Sequence, residues 1–346
     1  MISLKKSLYV TSYGAFISKR KNRLVIRGRD YEEEFVTDYL EELIIMGRGK
    51  SISSDAIELC IREKVPIFLT SSRGYPYAAI FPMIITGTVK RRREQYKAYL
   101  TELGIELAKK FVIGKLSNQM NLIRFWAKSR GRSDPITAKL MRKSANIIGE
   151  IINEVNRIRG ERITYEIRAS LMSFEARAAE IYWIWFGRTL SSFVFFPGRV
   201  KRGAKDPVNA LLNLGYSILL RRVFTAILFA GLDPYAGFLH SDRSGRPSLA
   251  LDLMEEFRQQ FVDRVVIKMF TKRVLRPDDC IGEDGKLKDH VLKRAIEEFR
   301  KRLDEEVTNV YGEKRSLAHH ISHQARLLSR VLVGDADEYK PFVLYW

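Results

Sequence analysis

Residues 80–100, IFPMIITGTVKRRREQYKAYL, contain the point at which the character of the sequence changes. Before this segment the apolar residues fall in short runs or alternate with polar residues, which is typical of β-strands. After Lys90 they recur every three or four positions, which is typical of amphipathic helices. We therefore predict an α+β protein, with an N-terminal β-rich domain over residues 1–88 and a larger, mostly α-helical domain over residues 89–346.

The N-terminal part predicts several short strands and one helix. Ser53 and the two residues after it have the hydrogen-bonding side chains that begin helices, so a helix is expected over Ala56–Lys64. The polar connector Lys19–Asn22 lies between two apolar runs and predicts a hairpin. The strand candidates are Ser7–Ser12, Ala15–Ser18, Arg23–Arg27, Glu41–Met46 and Pro66–Thr70.

Segments that contain Gly or Pro divide the second part into separate helices. They fall near residues 131–135, 197–207, 231–237, 241–247, 277–285 and 334–341.

The charge of the chain favours a polyanionic partner. The 346 residues include 60 Lys and Arg against 41 Asp and Glu, a formal net charge of +19. Residues 1–89 carry 13 basic and 10 acidic side chains, so the helical part carries the remaining +16. Nucleic acid is the commonest partner of such a surface. A basic nucleic-acid-binding protein without enzymatic activity would satisfy the charge equally well.

The composition excludes several other classes of protein. Two cysteines, Cys60 and Cys280, are too few for a disulfide framework or a four-cysteine zinc site. No apolar run reaches the length of about 18 residues that a membrane span requires. The best candidate, Leu211–Leu232, is interrupted by Arg221 and Arg222. The N-terminus lacks the pattern of a signal peptide, so we expect a cytoplasmic protein without membrane association.

Glu175 is the first candidate for a functional side chain. It lies on the predicted helix Tyr165–Leu190, about 40° from Leu171, at the edge of an apolar stripe. The stripe contains Ile167, Leu171, Phe174, Ala178, Tyr182 and Trp185. A carboxylate at the border of a buried face requires a cation or a hydrogen-bond donor. If the role of Glu175 is purely structural, a local arginine, Arg168 or Arg177, would supply that cation. Glu180, by contrast, lies on the opposite, solvated face of the same helix.

A second constellation combines His240 with the acidic helix that follows it. A tight turn over residues 231–237 leads to His240, and Asp252 and Glu255 lie three residues apart on the next helix. Two carboxylates and one imidazole can hold Mg²⁺ or Mn²⁺, and the nitrogen ligand favours Mn²⁺. The alternatives are a structural histidine and a solvated acidic helix end, where carboxylates favour the helix dipole.

A basic loop over residues 197–209 precedes this constellation. Arg199, Lys201, Arg202 and Lys205 place four positive charges within seven positions, and glycines among them allow the backbone to approach phosphate. These residues are therefore candidates for binding DNA. The alternative is a solvated loop with no ligand.

Together these motifs resemble the Cas1 family of CRISPR-associated proteins, the metal-dependent integrases of spacer acquisition. The similarity extends over nearly the whole chain, and several motifs in the same order make it specific. The motifs are Phe174–Tyr182, Lys205–Tyr216, Gly231–His240, Ser248–Arg258 and Tyr339–Phe342.

The resemblance implies a fold and an activity. Family members have a β-rich N-terminal domain and a helical catalytic domain, form homodimers, and associate with a dimer of the companion protein Cas2. They insert short DNA at a repeat by attack of a DNA 3′-hydroxyl on a phosphodiester, and isolated members act as metal-dependent DNA endonucleases on double-stranded, branched and repeat DNA.

The resemblance also implies roles for individual residues. Glu175, His240 and Glu255 match the catalytic metal ligands for Mn²⁺ or Mg²⁺, and Asp252 is a possible additional ligand. We add Arg258 to the DNA-binding candidates. Two other interpretations stay open: a non-enzymatic nucleic-acid-binding protein, and a nuclease that acts on RNA or branched DNA.

Overall fold

The computed structural model describes residues 6–83, 87–201 and 203–344. The chain forms two compact units, Met1–Ile85 and Thr86–Trp346, whereas the sequence predicted a division at residue 88. Strands dominate the first unit and helices the second. The predicted α+β class, with the β-rich part first, is confirmed.

Two four-stranded sheets and one helix form the first unit. One sheet has the order β1-β5-β7-β8, in which β8 alone is antiparallel to its neighbour. The other has the order β4-β3-β2-β6, in which β2, β3 and β4 form an antiparallel meander and β6 is parallel to β2. The elements are β1 Lys6–Val10, β2 Phe16–Arg20, β3 Arg23–Arg27, β4 Glu32–Val36, β5 Leu40–Met46, β6 Ser51–Ile52, α1 Ser54–Arg62, β7 Ile67–Thr70 and β8 Pro76–Ile80.

The core of this unit consists of the inward-facing apolar side chains of the strands and of α1. Ile17, Leu24 and Leu43 are fully buried together with Leu59 of α1. The helix begins two residues earlier than predicted, at Ser54, because the Ser53 hydroxyl caps it and accepts a hydrogen bond from the Ala56 amide at 3.2 Å. The predicted hairpin corresponds to β2 and β3.

The second unit is a helical bundle with one small hairpin. Its elements are α2 Thr88–Ala98, α3 Glu102–Arg130, α4 Pro135–Asn156, α5 Tyr165–Leu190, α6 Pro207–Phe229, α7 Ser248–Met254, a π-helical turn Gln259–Asp263, α8 Arg264–Thr271, α9 Asp289–Asp304, β9 Glu306–Thr308, β10 Lys314–Ser316 and α10 Leu317–Leu332. A short 3₁₀ turn lies at Pro277–Asp279 in this unit, and another lies at Thr37–Tyr39 in the first unit.

The helix boundaries follow from local chemistry. Asp134 and Asp206 precede prolines at the first helical positions of α4 and α6, and each accepts a hydrogen bond from an amide in the first turn. Thr164 caps α5 in the same way at 3.3 Å. The predicted breaks over residues 131–135 and 197–207 therefore end at the first residues of α4 and α6, and the other predicted breaks lie outside the α-helices.

Helix α6 is the most apolar of the long helices. Within the described ranges, it is the one helix long and apolar enough to cross a membrane by length and composition. Of its most apolar window, 61% is buried inside the protein. Leu211, Leu212 and Leu219 are fully buried, so this helix forms part of the bundle core.

The C-terminal tail is fastened to the bundle by buried polar groups. Asn118 of α3 donates to the carbonyl oxygens of Glu256 and Phe342, each at 2.8 Å, and accepts from the Leu344 amide at 3.0 Å. The Glu256 carboxylate accepts from the Phe342 amide at 2.7 Å and from the Tyr339 hydroxyl at 2.6 Å. These bonds hold the tail beside the segment that follows α7.

Candidate active site

Two of the predicted metal ligands meet at one buried ammonium group. Lys115 of α3 places Nζ 2.5 Å from Glu175 Oε1 and 2.6 Å from Glu255 Oε2. Glu175 lies on α5 and Glu255 directly after α7, so three separate segments converge here. The side chains of Lys115, Glu175 and Glu255 are 9%, 20% and 2% exposed. Glu175 therefore has a cation partner, but this partner is neither of the local arginines.

A second cation contacts Glu255. Arg258 donates from Nη1 to Glu255 Oε1 at 2.5 Å, and its guanidinium lies 4.2 Å from the centre of the Tyr216 ring. Burial acts to raise the pKa of Glu255, but the charges of Arg258 and Lys115, with His240 adding to them, hold it well below its usual value. Glu255 is therefore ionised at neutral pH and enclosed by positive charge.

One oxygen of Glu255 has a cation as its partner. Among the described residues, Glu255 Oε2 is buried and faces the Lys115 ammonium, whose Nζ lies 2.6 Å away. A buried carboxylate oxygen suits a cation as its partner.

His240 is oriented by Asp252. The Asp252 carboxylate is fully buried and accepts from the backbone amides of Phe238, Leu239 and His240 at 2.6–2.9 Å. It also lies 2.7 Å from His240 Nδ1. Because a carboxylate accepts, Nδ1 carries a proton in this contact, and in the neutral imidazole the lone pair is then on Nε2. Asp252 thus places the imidazole in the tautomer that binds metal through Nε2.

The turn that presents His240 is held from both sides. The buried Gln95 side chain donates to the carbonyl oxygens of Asp233 and Ala236 and accepts from the Asp233 amide, at 2.8–2.9 Å. At Gly237 a Cβ atom would lie 2.8 Å from the Asp252 carboxylate and from Ser248. Only glycine fits there without displacing Asp252.

The donor set fits a hard or borderline divalent cation. Two carboxylates converge on one cationic position, and the His240 imidazole lies close enough to act on the charge of Glu255. In residues 6–83, 87–201 and 203–344, however, no three His, Cys, Asp or Glu side chains stand together as a ready ion-binding group. The Lys115 ammonium lies between the two glutamates instead.

The acidic helix end is not solvated. Asp252, Glu255 and Glu256 are 0%, 2% and 0% exposed, so the interpretation of a solvated acidic helix end was wrong. Burial raises the pKa of Glu256 to about 8, against the bonds from Tyr339, the Phe342 amide and Gln324. Glu256 holds the tail and takes no part in the carboxylate pair around Lys115.

The five DNA-binding candidates have different environments. Lys201 and Lys205 are exposed to solvent. Partial desolvation by the atoms around it, with the positive charges of Arg258 and Lys115, still lowers the pKa of Lys201. Arg199 turns inward, where it donates to Asn209 at 3.0 Å and Asn213 at 2.7 Å. Arg258 is committed to Glu255, and Arg202 lies outside the described residues.

Comparison with known proteins identifies the family. A family model described as CRISPR associated protein Cas1 matches residues 8–301. The chain belongs to the Cas1 family. It is similar to CRISPR-associated endonuclease Cas1 1 of Archaeoglobus fulgidus, with 36% identity over 348 residues that cover 98% of this chain and 99% of the relative. The family resemblance of the sequence motifs is thereby confirmed.

Two solved structures have the same fold as this Cas1-family chain. A casposase bound to an integration product matches with a TM-score of 0.80 and 22% identity, covering 97% of this chain and 92% of that one. A Cas6-RT-Cas1–Cas2 complex matches with a TM-score of 0.77 and 19% identity, covering 98% of this chain and 36% of that one.

Sequence reasoning missed a buried network beside the Cas1 motifs. Asp263 accepts from the hydroxyls of Tyr182, at 2.7 Å, and Tyr216. Burial raises the pKa of Asp263 to about 6, against the tyrosine bonds and the charges of Arg258 and Arg199. Tyr182 belongs to the predicted apolar stripe, but nothing in the helical period marks Asp263 as its partner. Sequence reasoning also missed Lys115 and Gln95, because the residues that they contact are distant in sequence.

Proposed function

We propose that this Cas1-family chain is a divalent-metal-dependent DNA endonuclease and integrase that inserts short DNA into a CRISPR repeat. The observation that carries the proposal is the convergence of Glu175 and Glu255, from different segments, on one cationic position in the most basic part of the chain. The name of the relative from A. fulgidus, an endonuclease, and the casposase with its integration product support the reaction class.

We propose Glu175, His240 and Glu255 as the residues that hold one Mn²⁺ or Mg²⁺. Such an ion, when bound, neutralises phosphodiester charge and activates a hydroxyl nucleophile. Two observations support this assignment: Glu255 Oε2 faces a cation, and the Asp252 contact with His240 Nδ1 leaves Nε2 of the neutral imidazole as the metal-binding nitrogen. Asp252 acts as a positioning residue, because its two oxygens already accept four hydrogen bonds from its own chain.

Three basic side chains near the metal ligands have different roles. Lys201 and Lys205 are exposed on the loop beside the site and contact phosphates. Arg258 keeps Glu255 ionised and oriented through the bond at 2.5 Å.

In strand insertion the incoming 3′-hydroxyl loses its proton and its oxygen forms a new bond to phosphorus. The bond to the leaving 3′-oxygen breaks and that oxygen takes up a proton, so the number of phosphodiester bonds is unchanged.

We propose two protein partners. The first is a second copy of the chain, bound through the N-terminal unit. The second is a Cas2 dimer; a matching solved structure, the Cas6-RT-Cas1–Cas2 complex, supports this partner.

An insertion assay tests the function. A short DNA duplex with free 3′-hydroxyls is incubated with a supercoiled plasmid that carries a CRISPR repeat, the full-length chain, Cas2 and Mn²⁺. We expect joined products, their loss in EDTA, and their loss when the duplex ends in 3′-deoxynucleotides. Binding of DNA without nicking or joining under any of these conditions would leave only a nucleic-acid-binding protein, and preferential cleavage of RNA would replace DNA as the substrate.

A further inference from the structure

Lys115 is the central cation of the site, and neither the motifs nor the proposed reaction gives it a role. Its ammonium contacts both Glu175 and Glu255 within 2.6 Å, although its side chain is 9% exposed. It comes from α3, whereas the two glutamates come from α5 and from the end of α7. The position of Lys115 between them is therefore a tertiary arrangement and not a helix-surface pair.

The charges of the buried group balance without any metal. Glu175 and Glu255 contribute two negative charges, and Lys115 and Arg258 contribute two positive charges. Without a cation between them, two close carboxylates, one buried and one partly buried, would repel each other and one would tend to take up a proton. Removing one partner of a buried ion pair is strongly destabilising, because it leaves an uncompensated charge. Lys115 thus stabilises the metal-free site.

The same contact competes with a metal ligand bond. Glu175 Oε1 and Glu255 Oε2 face Lys115, and these oxygens would also face a divalent ion between the two carboxylates. Lysine carries a compact charge on a flexible stem of four carbons, so its ammonium can withdraw without movement of the helix. Arg258, by contrast, is stacked on Tyr216 and bonded to the other oxygen of Glu255.

We propose that Lys115 is a built-in counter-cation that a divalent ion must displace from Glu175 and Glu255, so that it sets the affinity of the metal-free protein for metal. This inference rests on the proposed metal site. It assigns to Lys115 the regulation of metal occupancy: the ammonium holds the two carboxylates in place, and its departure is the condition for loading.

The test is Mn²⁺ binding to the full-length chain without DNA, measured by titration calorimetry, together with thermal melting in EDTA. In Lys115→Met the stem is kept and the charge is lost. We expect the Kd for Mn²⁺ to fall by at least about tenfold, which corresponds to about 1.4 kcal/mol. We also expect a lower Tm in EDTA and a larger rise of Tm on adding Mn²⁺ than in the wild type.

Lys109→Met is the matched control. Lys109 lies on the same helix, is 3% exposed, and forms an ion pair with Glu106 at 2.6 Å and a bond to the Ile158 carbonyl at 3.1 Å. Loss of this buried cation should lower Tm but leave the Kd for Mn²⁺ unchanged. An equal change of Kd in both variants would mean that general loosening of α3, and not Lys115, alters metal binding.

A second variant keeps the inference testable if Lys115→Met does not fold. Lys115→Arg retains the charge in a planar group that forms two bonds to a carboxylate, so we expect weaker Mn²⁺ binding than in the wild type. Unchanged or tighter binding in Lys115→Arg, or unchanged or weaker binding in Lys115→Met, would overturn the role of counter-cation.

Failure of the inference can be distinguished from failure of the proposed metal site. If Mn²⁺ binds the wild type and Glu255→Gln abolishes this binding, the metal site stands and the Lys115 variants decide the inference alone. If neither the wild type nor Lys115→Met binds Mn²⁺, both proposals are wrong. Binding only in Lys115→Met would support both.

Discussion

At the scale of single residues, Asp252 shows how a buried carboxylate can serve a site without touching its ligand. Four hydrogen bonds from Phe238, Leu239 and His240 saturate it. The sequence left open whether Asp252 is a ligand or a positioning residue, because a spacing of three residues from Glu255 is compatible with both. Only the folded turn shows that its acceptor capacity is already used.

Asp252→Ala is therefore expected to lower stability as well as activity. Three buried amides would lose their acceptor, and each unsatisfied group costs about 1–3 kcal/mol. The free energy of unfolding, measured by denaturant titration, should fall by about 3 kcal/mol or more. The exposed Glu180→Ala should leave it unchanged. Full stability with complete loss of Mn²⁺ binding would instead identify Asp252 as a ligand.

Asp263 predicts a pH dependence of stability. Burial raises its pKa from 3.8 to about 6 in the folded state. The folded protein therefore holds this proton more tightly than the unfolded chain, and the group contributes stability below about pH 4 that is lost as the pH rises through 6. A shift of two units corresponds to about 3 kcal/mol.

We expect Asp263→Asn to remove this part of the pH dependence. Its Tm should change less between pH 4 and pH 7 than that of the wild type, whereas Asp278→Asn, at an exposed position, should follow the wild-type curve. The same slope in Asp263→Asn and the wild type would show that the pKa of Asp263 is not raised in the folded state.

At the scale of secondary-structure elements, α5 and β4 show what the sequence could predict. The bounds of α5, Tyr165–Leu190, agree with the prediction, because the Thr164 cap and the apolar stripe are local signals. The cation partner of Glu175 was missed, since Lys115 lies 60 positions away. Arg177, a predicted local partner, pairs with Glu154 at 3.0 Å.

Strand β4 was missed because its sequence, EEEFV, lacks an apolar alternation. Its glutamates face arginines on the neighbouring hairpin: Arg20 lies 2.7 Å from Glu32 and 2.5 Å from Glu34, and Arg27 lies 2.6 Å from Glu32. Cross-strand pairs of opposite charge support a strand, but they become visible only when the partner strand is known.

The basic loop gives a prediction at the same scale. Alanine at both Lys201 and Lys205 should weaken binding to all DNA sequences alike. It should also reduce the slope of log K against log salt by about 1.8, since each phosphate contact contributes about 0.9. Arg199→Ala removes bonds to Asn209 and Asn213. This variant should lower Tm and leave the salt slope nearly unchanged. An unchanged slope in the double variant would mean that the loop does not contact phosphate.

At the scale of the whole molecule, the sequence predicted the division into two parts but not the assembly of the site. The change of period near Lys90 marks the division because periodicity is a property of neighbouring residues. The site combines α3, α5 and the segment around α7, which no local pattern joins. The family motifs pointed to Glu175, His240 and Glu255, whereas Lys115 lies outside them all.

The assembly of the chain is also a property of this scale. We expect a homodimer formed mainly through the N-terminal unit, which carries little net charge and ends in the apolar segment 80–85, of which residues 84 and 85 lie outside the described residues. Light scattering at micromolar concentration should give about twice the 40.1 kDa of one chain. A monomer at all concentrations tested would contradict this expectation.

The most direct test of the central claim is nicking of supercoiled DNA by the full-length chain in Mn²⁺. Glu175→Ala, His240→Ala and Glu255→Ala should each nearly abolish nicking, and double variants should be little worse than single ones, because the three residues act as a unit. Glu180→Ala, on the opposite face of α5, should stay active, and EDTA should stop the wild type. Full activity of Glu175→Ala, or equal loss in Glu180→Ala, would contradict the assignment.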